Sequence, residues 1–281
     1  MRRNRLRSVW DERVAQWDDT VSTSTSFARL RHRVLELAEP KPDDRCLDLG
    51  AGTGFLSVPL AGRTARVLAV DLSPEMLSTL EVAARQSGRT IATYATDIGQ
   101  LRLPRGSNDL IVSSYAMHYL PDVDKRAVLR RAHDWLAPGG RLVIADMMVG
   151  RKFDEHHRRV FWEKALTMLR RGPAGWWRLG KNVVRIGSGQ GRLRPCPPEW
   201  WQAAVTEAGF LDVAYEHVVS EAGIVTGRTS VTGSGQAESA RMVGRGGIAP
   251  IGAEPLRAGP TDALAGGPVG HLACRGTLGP G

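Results

Sequence analysis

Cysteine is scarce in this 281-residue chain: Cys46, Cys196 and Cys274 stand far apart, with no CxxC pair. That excludes a disulfide framework or a thiolate zinc cluster and fits a reducing, cytoplasmic setting. His156 and His157 are adjacent with no partner at ligand spacing, so no metal site is expected. No run of 18 apolar residues occurs, so no membrane span is expected. The basic start Met1-Arg2-Arg3-Asn4-Arg5-Leu6-Arg7 leads into Trp10-Asp11-Glu12 and not into an apolar stretch, which argues against a secretory signal. Aromatics are absent from residues 229–281, which hold 13 Gly and 5 Pro. Such a stretch buries too little apolar surface to offset its ordering entropy and reads as a disordered tail.

What is present is a globular composition, 42% hydrophobic and 24% charged, enough to bury a substantial core. The net charge of +9 lies wholly in residues 151–198, and the rest of the chain is balanced. A general polyanion-binding surface is therefore poorly supported.

From Arg45 to Asp146 strands and helices alternate. Arg45–Leu49 is a short apolar run ending at glycines, and Phe55–Ala61 reads as a short helix. Ala65–Asp71 is a second strand; Ser73-Pro74-Glu75 then supplies an N-cap, a proline at the first helical position and an early acid, opening a helix to Gln86. Strands at Thr90–Thr96, Asp109–Ser114 and Arg141–Asp146 follow, with a helix from about Asp122 to Leu136 before the last of them. A helix from Pro198 to about Ala208 and two strands, Leu211–Val219 and Gly223–Arg228, close the pattern. Strands this apolar, alternating with helices, argue for a parallel sheet covered on both faces.

The strongest chemical signal is Leu47-Asp48-Leu49-Gly50-Ala51-Gly52-Thr53-Gly54, a strand running into three alternate glycines with a helix close behind. Glycines let the chain turn sharply and let a ligand touch the backbone. In doubly wound sheets that spot lies at the ligand-binding, carboxyl end of the strands. The spacing is not GxGxxG, which argues against a nicotinamide dehydrogenase. Asp48 before the loop would repel a phosphate but could hold an ammonium group. Asp71 ends the second strand, where a carboxylate can accept from both hydroxyls of a ribose. Asp97 ends the third, within reach of an adenine amino group, and Ser113-Ser114 end the fourth.

With these motifs in order, residues 10–228 resemble a class I S-adenosylmethionine-dependent methyltransferase of the small-molecule type. Leu47–Gly54, Val70–Leu77, Ala95–Ile98, Asn108–Leu120 and Leu136–Leu142 carry the resemblance. It implies an α/β, Rossmann-like, doubly wound and mostly parallel seven-stranded sheet with helices on both faces and the last strand reversed. It also implies an N-terminal lid segment over residues 1–44, a methyltransferase domain over 45–228, and within it an acceptor-cap insert over 147–198. S-adenosyl-L-methionine is the implied cofactor. Asp48, Gly50 and Gly52 would surround its methionine part, with Ser113 facing that end. Asp71 would hold the ribose, Leu72 and Met76 would pack on the adenine, and Asp97 with the Ile98 backbone would read the adenine edge. Trp17 belongs to the lid segment, as a cofactor contact or as core. His118 is the candidate general base, with a packing histidine as the alternative.

Methyl transfer from a sulfonium is an in-line displacement that depends chiefly on alignment. A base is needed only where the acceptor keeps its proton at neutral pH. Trp162, Trp176 and Trp177 lie inside the insert and Trp200 and Trp201 just beyond it. Aromatics among basic residues suit a cap over an apolar or anionic acceptor, a solvated basic helix pair, or peripheral contact with an anionic membrane. A nucleic-acid methyltransferase is the nearest rival, disfavoured by the charge distribution. A cofactor-binding protein without transferase activity is the other.

Overall fold

A computed structural model describes residues 2–148, 193–219 and 221–231, with side chains from Leu6 onward. Most of the insert (149–192) and most of the glycine-rich tail (232–281) lie outside the described residues, and with them the expectations of a cap, a membrane contact and disorder.

Three helices come first: α1 (Arg2–Asp11), α2 (Val14–Thr23) and α3 (Thr25–Ala38). There follow β1 (Arg45–Leu49), α4 (Ser57–Ala61), β2 (Arg66–Asp71), α5 (Pro74–Gln86), β3 (Ala92–Ala95) and β4 (Asn108–Ser114). A single 3-10 turn (Met117–Tyr119) leads to α6 (Asp122–Trp135) and β5 (Leu136–Met147). The elements described after the insert are α7 (Pro198–Glu207), β6 (Leu211–Val219) and β7 (Ala222–Arg228).

The seven strands form one sheet in the order β3-β2-β1-β4-β5-β7-β6. Pairings from β3 through β5 are parallel, and β7 runs antiparallel to both neighbours. Only β7 is therefore reversed, and it is an interior strand. The order turns back between β1 and β4, which opens a crevice at the carboxyl ends of those strands.

Alternation along the strands divides the core in two. Cys46, Ala69, Leu110, Val112, Val143 and Ala145 pack with Leu30 and Val34 of α3 and Leu80 of α5. On the other face Leu47, Leu49, Val70, Ile111 and Ile144 pack with Leu129 of α6 and Trp201 of α7. Helix α5 starts where its cap predicts: the Ser73 hydroxyl accepts from the Met76 amide at 3.1 Å.

Several boundaries differ from the sequence reading, among them the start of β3, at Ala92 and not Thr90. Helix α4 begins at Ser57 because residues 52–56 are spent in turns. Strand β5 begins at Leu136, before the Pro138-Gly139-Gly140 turn, because Leu136 pairs with Asn108 ahead of a register shift. Gly139, at φ +74°, supplies a left-handed step within it.

Candidate active site

Four strand ends build the crevice. After β1 the chain turns through Gly50 and Ala51, whose amides both donate to the Val70 carbonyl of β2, at 2.7 and 3.0 Å. Gly50 and Gly52 adopt φ of +77° and +54°, a region costly for any residue with a Cβ. At Gly50 there is also no room: a Cβ would stand 2.2 Å from that of Ala116 in the loop after β4.

Asp71 at the end of β2 is held by two backbone donors. The Gly52 amide donates to Oδ2 and the Ser73 amide to Oδ1, both at 2.9 Å. Burial raises its carboxyl above the ordinary range, opposed by these amides. Asp48 lies deeper, 1% exposed, and accepts from the Ser57 hydroxyl at 2.6 Å. Burial pushes its carboxyl up to about 7, the Ser57 bond opposes the shift, and the charge of Asp71 adds to it. After β3 the Asp97 carboxylate accepts from the Gly99 amide at 2.7 Å.

The crevice encloses about 730 Å³, open solvent included, and its lining brings together Gly50, Gly52, Asp71, Leu72, Met76, Asp97 and Ile98. A smaller hollow beside it is lined by Asp48, Gly50, Gly52 and Trp17, among others. Two of the sequence-derived candidates stand apart from both linings. Ser113 is fully buried and donates to the Leu49 carbonyl at 2.7 Å. Its neighbour Ser114 lines both spaces instead. The Ser114 hydroxyl is buried and has no hydrogen-bond partner among the described residues. His118, 3% exposed, sits behind the wall with Nδ1 2.5 Å from Asp146 Oδ1. Asp146 also accepts from the amides of His118 (3.0 Å) and Met147 (2.7 Å).

Sequence reasoning expected a lid over residues 1–44 with Trp17 in it, but missed Leu6, Trp10, Tyr119 and Leu120 of the outer wall. Leu6 and Trp10 of α1 line the crevice with Trp17, Tyr115, Tyr119 and Leu120. The rings form a chain: Trp10 lies 5.7 Å from Trp17 and 5.5 Å from Tyr119, and Phe27 lies 5.0 Å from Tyr115, centroid to centroid. The two Trp10 pairs meet edge-on, which fixes ring orientation as well as burying area. Tyr115 reaches this position through a left-handed backbone, φ +51°. Helix α1 is tied down by Asp11, which accepts from the Ser73 hydroxyl at 2.6 Å. No periodicity in the sequence links Leu6 or Trp10 to a crevice built more than forty residues later. Asp146 carried a readable signal, a carboxylate at the end of a central strand.

The residues present suit S-adenosylmethionine. Leu72, Met76 and Ile98 offer apolar surface for a purine. Asp71 is held by amides on one side and can accept from hydroxyls on the other. The buried Ser114 hydroxyl lacks the partner a polar ligand would provide. Among the described residues no cluster suits a metal ion, and no helix is long and apolar enough to cross a membrane.

Comparison with known proteins agrees with this geometry. A family model described as a methyltransferase domain matches residues 46–140. Demethylmenaquinone methyltransferase of Thermus thermophilus is 33% identical over 138 residues, 47% of this chain and 62% of that protein. Aklanonic acid methyltransferase of a Streptomyces species is 32% identical over 122 residues, 42% of this chain and 54% of that protein. The chain thus spans less than two thirds of either relative. Among solved structures, magnesium protoporphyrin IX methyltransferase of Synechocystis superposes with a TM-score of 0.58 at 16% identity. That match covers 81% of this chain and 99% of the other, and it speaks for the fold. The N-methyltransferase NodS of Bradyrhizobium japonicum superposes with a TM-score of 0.56 at 18% identity, covering 79% of this chain and 97% of the other. Residues 46–140 thus match a methyltransferase domain, and the fold around them resembles that of class I S-adenosylmethionine-dependent methyltransferases.

Proposed function

We propose that this chain transfers the methyl group of S-adenosylmethionine to a small-molecule acceptor. The observation that carries the proposal is the pairing, in one crevice, of the amide-held Asp71 carboxylate with the buried Ser114 hydroxyl, which has no partner among the described residues. Bound there, the cofactor supplies a methyl group already activated on a sulfonium.

The chain's own residues then bind, orient and exclude water. Asp71 accepts from the ribose hydroxyls, Leu72 and Met76 pack on the adenine, and Asp97 with the Ile98 backbone holds its edge. Asp48, Gly50 and Gly52 surround the methionine end, where Ser114 takes the part that the sequence assigned to Ser113. Trp10, Trp17, Tyr115 and Tyr119 wall the reacting end with aromatic rings, which favours alignment over solvation.

His118 serves as general base for acceptors that hold their proton. Asp146 supports that role: its carboxylate accepts the Nδ1 proton, which leaves Nε2 as the basic nitrogen. His118 sits buried behind the wall, so it acts on an acceptor that reaches past Tyr115 and Tyr119.

The relatives' names, demethylmenaquinone and aklanonic acid methyltransferase, support a small-molecule acceptor over a nucleic acid. The 147–198 insert completes the acceptor pocket in this reading. Free thiols at Cys46 and Cys196 support a cytoplasmic setting.

Calorimetric titration with S-adenosylmethionine and S-adenosylhomocysteine tests the proposal. Wild type binds both, and Asp71→Ala loses about 10- to 100-fold in affinity, the scale of hydrogen bonds to a charged group. A folded wild type that binds neither, or an Asp71→Ala variant that binds as wild type does, overturns it.

A further inference from the structure

Arg131 lies on α6, outside every motif that identifies the cofactor crevice. Its guanidinium nevertheless reaches the loop after β3: Nη2 donates to the Gly99 carbonyl at 3.1 Å and lies 3.5 Å from the Ile98 carbonyl. These two carbonyls belong to the turn that Asp97 opens. The Asp97 carboxylate accepts from the Gly99 amide, and its backbone carbonyl accepts from the amides of Gln100 (2.7 Å) and Leu101 (3.1 Å). A Cβ at Gly99 would stand 3.0 Å from Asp97 Oδ1, so the turn is closely fitted.

Arg131 holds this position against its own preferences. Burial lowers its pKa, and the charges of Arg102 and Arg130 push the same way, opposed by Asp124 and Asp97. Its Nε is buried with no hydrogen-bond partner among the described residues. A group that forgoes a hydrogen bond and crowds like charges needs a compensating role. Packing over Trp135, 6.0 Å from the ring centroid, offsets little of this. What the placement does achieve is an Asp97-Ile98-Gly99 turn held at its Gly99 carbonyl by a cation that feels the Asp97 charge.

We propose that Arg131 is a positioning residue for purine discrimination: by clamping the Ile98 and Gly99 carbonyls it fixes the Asp97 carboxylate and the Ile98 amide, so that the site accepts a 6-amino purine and rejects a 6-oxo purine. The inference rests on the cofactor reading above. Adenine offers an amino donor to Asp97 and a ring-nitrogen acceptor to the Ile98 amide. Hypoxanthine inverts both, placing an oxygen against the carboxylate and an N–H against the amide. A rigid turn enforces the penalty; a loose one rotates away and relaxes it. Lysine substitutes only in part, because its ammonium sits on a shorter stem than the Nη2 atom that meets both carbonyls.

The test compares S-adenosylhomocysteine with S-inosylhomocysteine by calorimetry on wild type, Arg131→Met and Arg131→Lys. Wild type prefers the adenosyl ligand by about a hundredfold or more, as expected where polar groups would be left mismatched. Arg131→Met lowers that preference about tenfold, mainly by gaining on the inosyl ligand relative to the adenosyl one. Arg131→Lys, which keeps the charge and guards against an unfolded methionine variant, gives an intermediate ratio. Variants whose affinities for both ligands fall together, with the ratio unchanged, assign Arg131 a purely structural role and overturn the inference. So does a wild type that binds both ligands equally, although the cofactor reading survives that result. Failure of wild type to bind either ligand defeats the cofactor reading itself.

Discussion

A methyl group added at Gly50 would meet the Ala116 Cβ at 2.2 Å, on a backbone at φ +77°. Neither strand can retreat, since β1 and β4 are paired in the middle of the sheet. Gly50→Ala is therefore expected to cost about 2–4 kcal/mol, as overpacking adds to left-handed strain. Gly88, at φ +65° with nothing within 4 Å of where a Cβ would stand, is the control. Gly88→Ala should cost only about 1 kcal/mol. Urea unfolding of the two variants measures the difference. Asp48 sets a second residue-scale outcome. Its carboxyl titrates at about 7 in the folded chain because burial disfavours the charge. Unfolded, it titrates at about 4, so between about pH 4 and 7 the folded state binds the extra proton and stability falls as pH rises. Asp48→Asn should remove much of that fall, its melting temperature gaining on wild type as pH goes from about 4 to about 8. Asp71, also raised, leaves a residual slope.

Helix α6 shows how one element holds others. Lys125 is 0% exposed, yet its ammonium lies 3.1 Å from Asp122 Oδ1 and 3.1 Å from Cys196 Sγ. It also donates to the Arg194 carbonyl, while the Arg194 amide donates to the His118 carbonyl at 2.7 Å. The stretch entering α7 is thus pinned between α6 and the turn that carries His118. Lys125→Ala should cost about 3–5 kcal/mol, a cavity plus broken buried pairing. Lys125→Met keeps the volume and should cost clearly less, by denaturant midpoint. Legibility in the sequence divides along the same lines. Strands β2 and β4 centre on unbroken apolar stretches, Val67–Val70 and Leu110–Val112, and α5 announces its cap, proline and first-turn acid, so local chemistry fixed them. Residues at the ends of those elements, Asp71, Leu72, Met76, Asp97 and Ile98, inherit their place in the crevice from that regularity. The choice between Ser113 and Ser114 does not, because the left-handed Tyr115 turns the chain just where alternation would decide it. Leu6, Trp10 and Arg131 reach the site by tertiary packing alone, which no local pattern encodes.

At the scale of the molecule, the last described residues close the sheet's far end. The Thr229 hydroxyl accepts from the Gly140 amide at 2.8 Å and donates to the Ala137 carbonyl at 2.6 Å, and the Gly139 amide donates to the Ser230 carbonyl at 3.0 Å. A chain ending at Val231 is expected to melt with the full-length chain, whereas one ending at Arg228 loses these bonds and about 1–3 kcal/mol. Differential scanning calorimetry of both separates the two boundaries. The reversed strand bears on synthesis as well as stability. Because β7 inserts between β5 and β6, a ribosome must deliver residue 228 before β5 finds its second neighbour. Until then the nascent chain presents Leu142 and Ile144, buried in the finished protein, along an open strand edge. Chains that stop short of β7 are thus expected to be the ones most prone to edge-to-edge association.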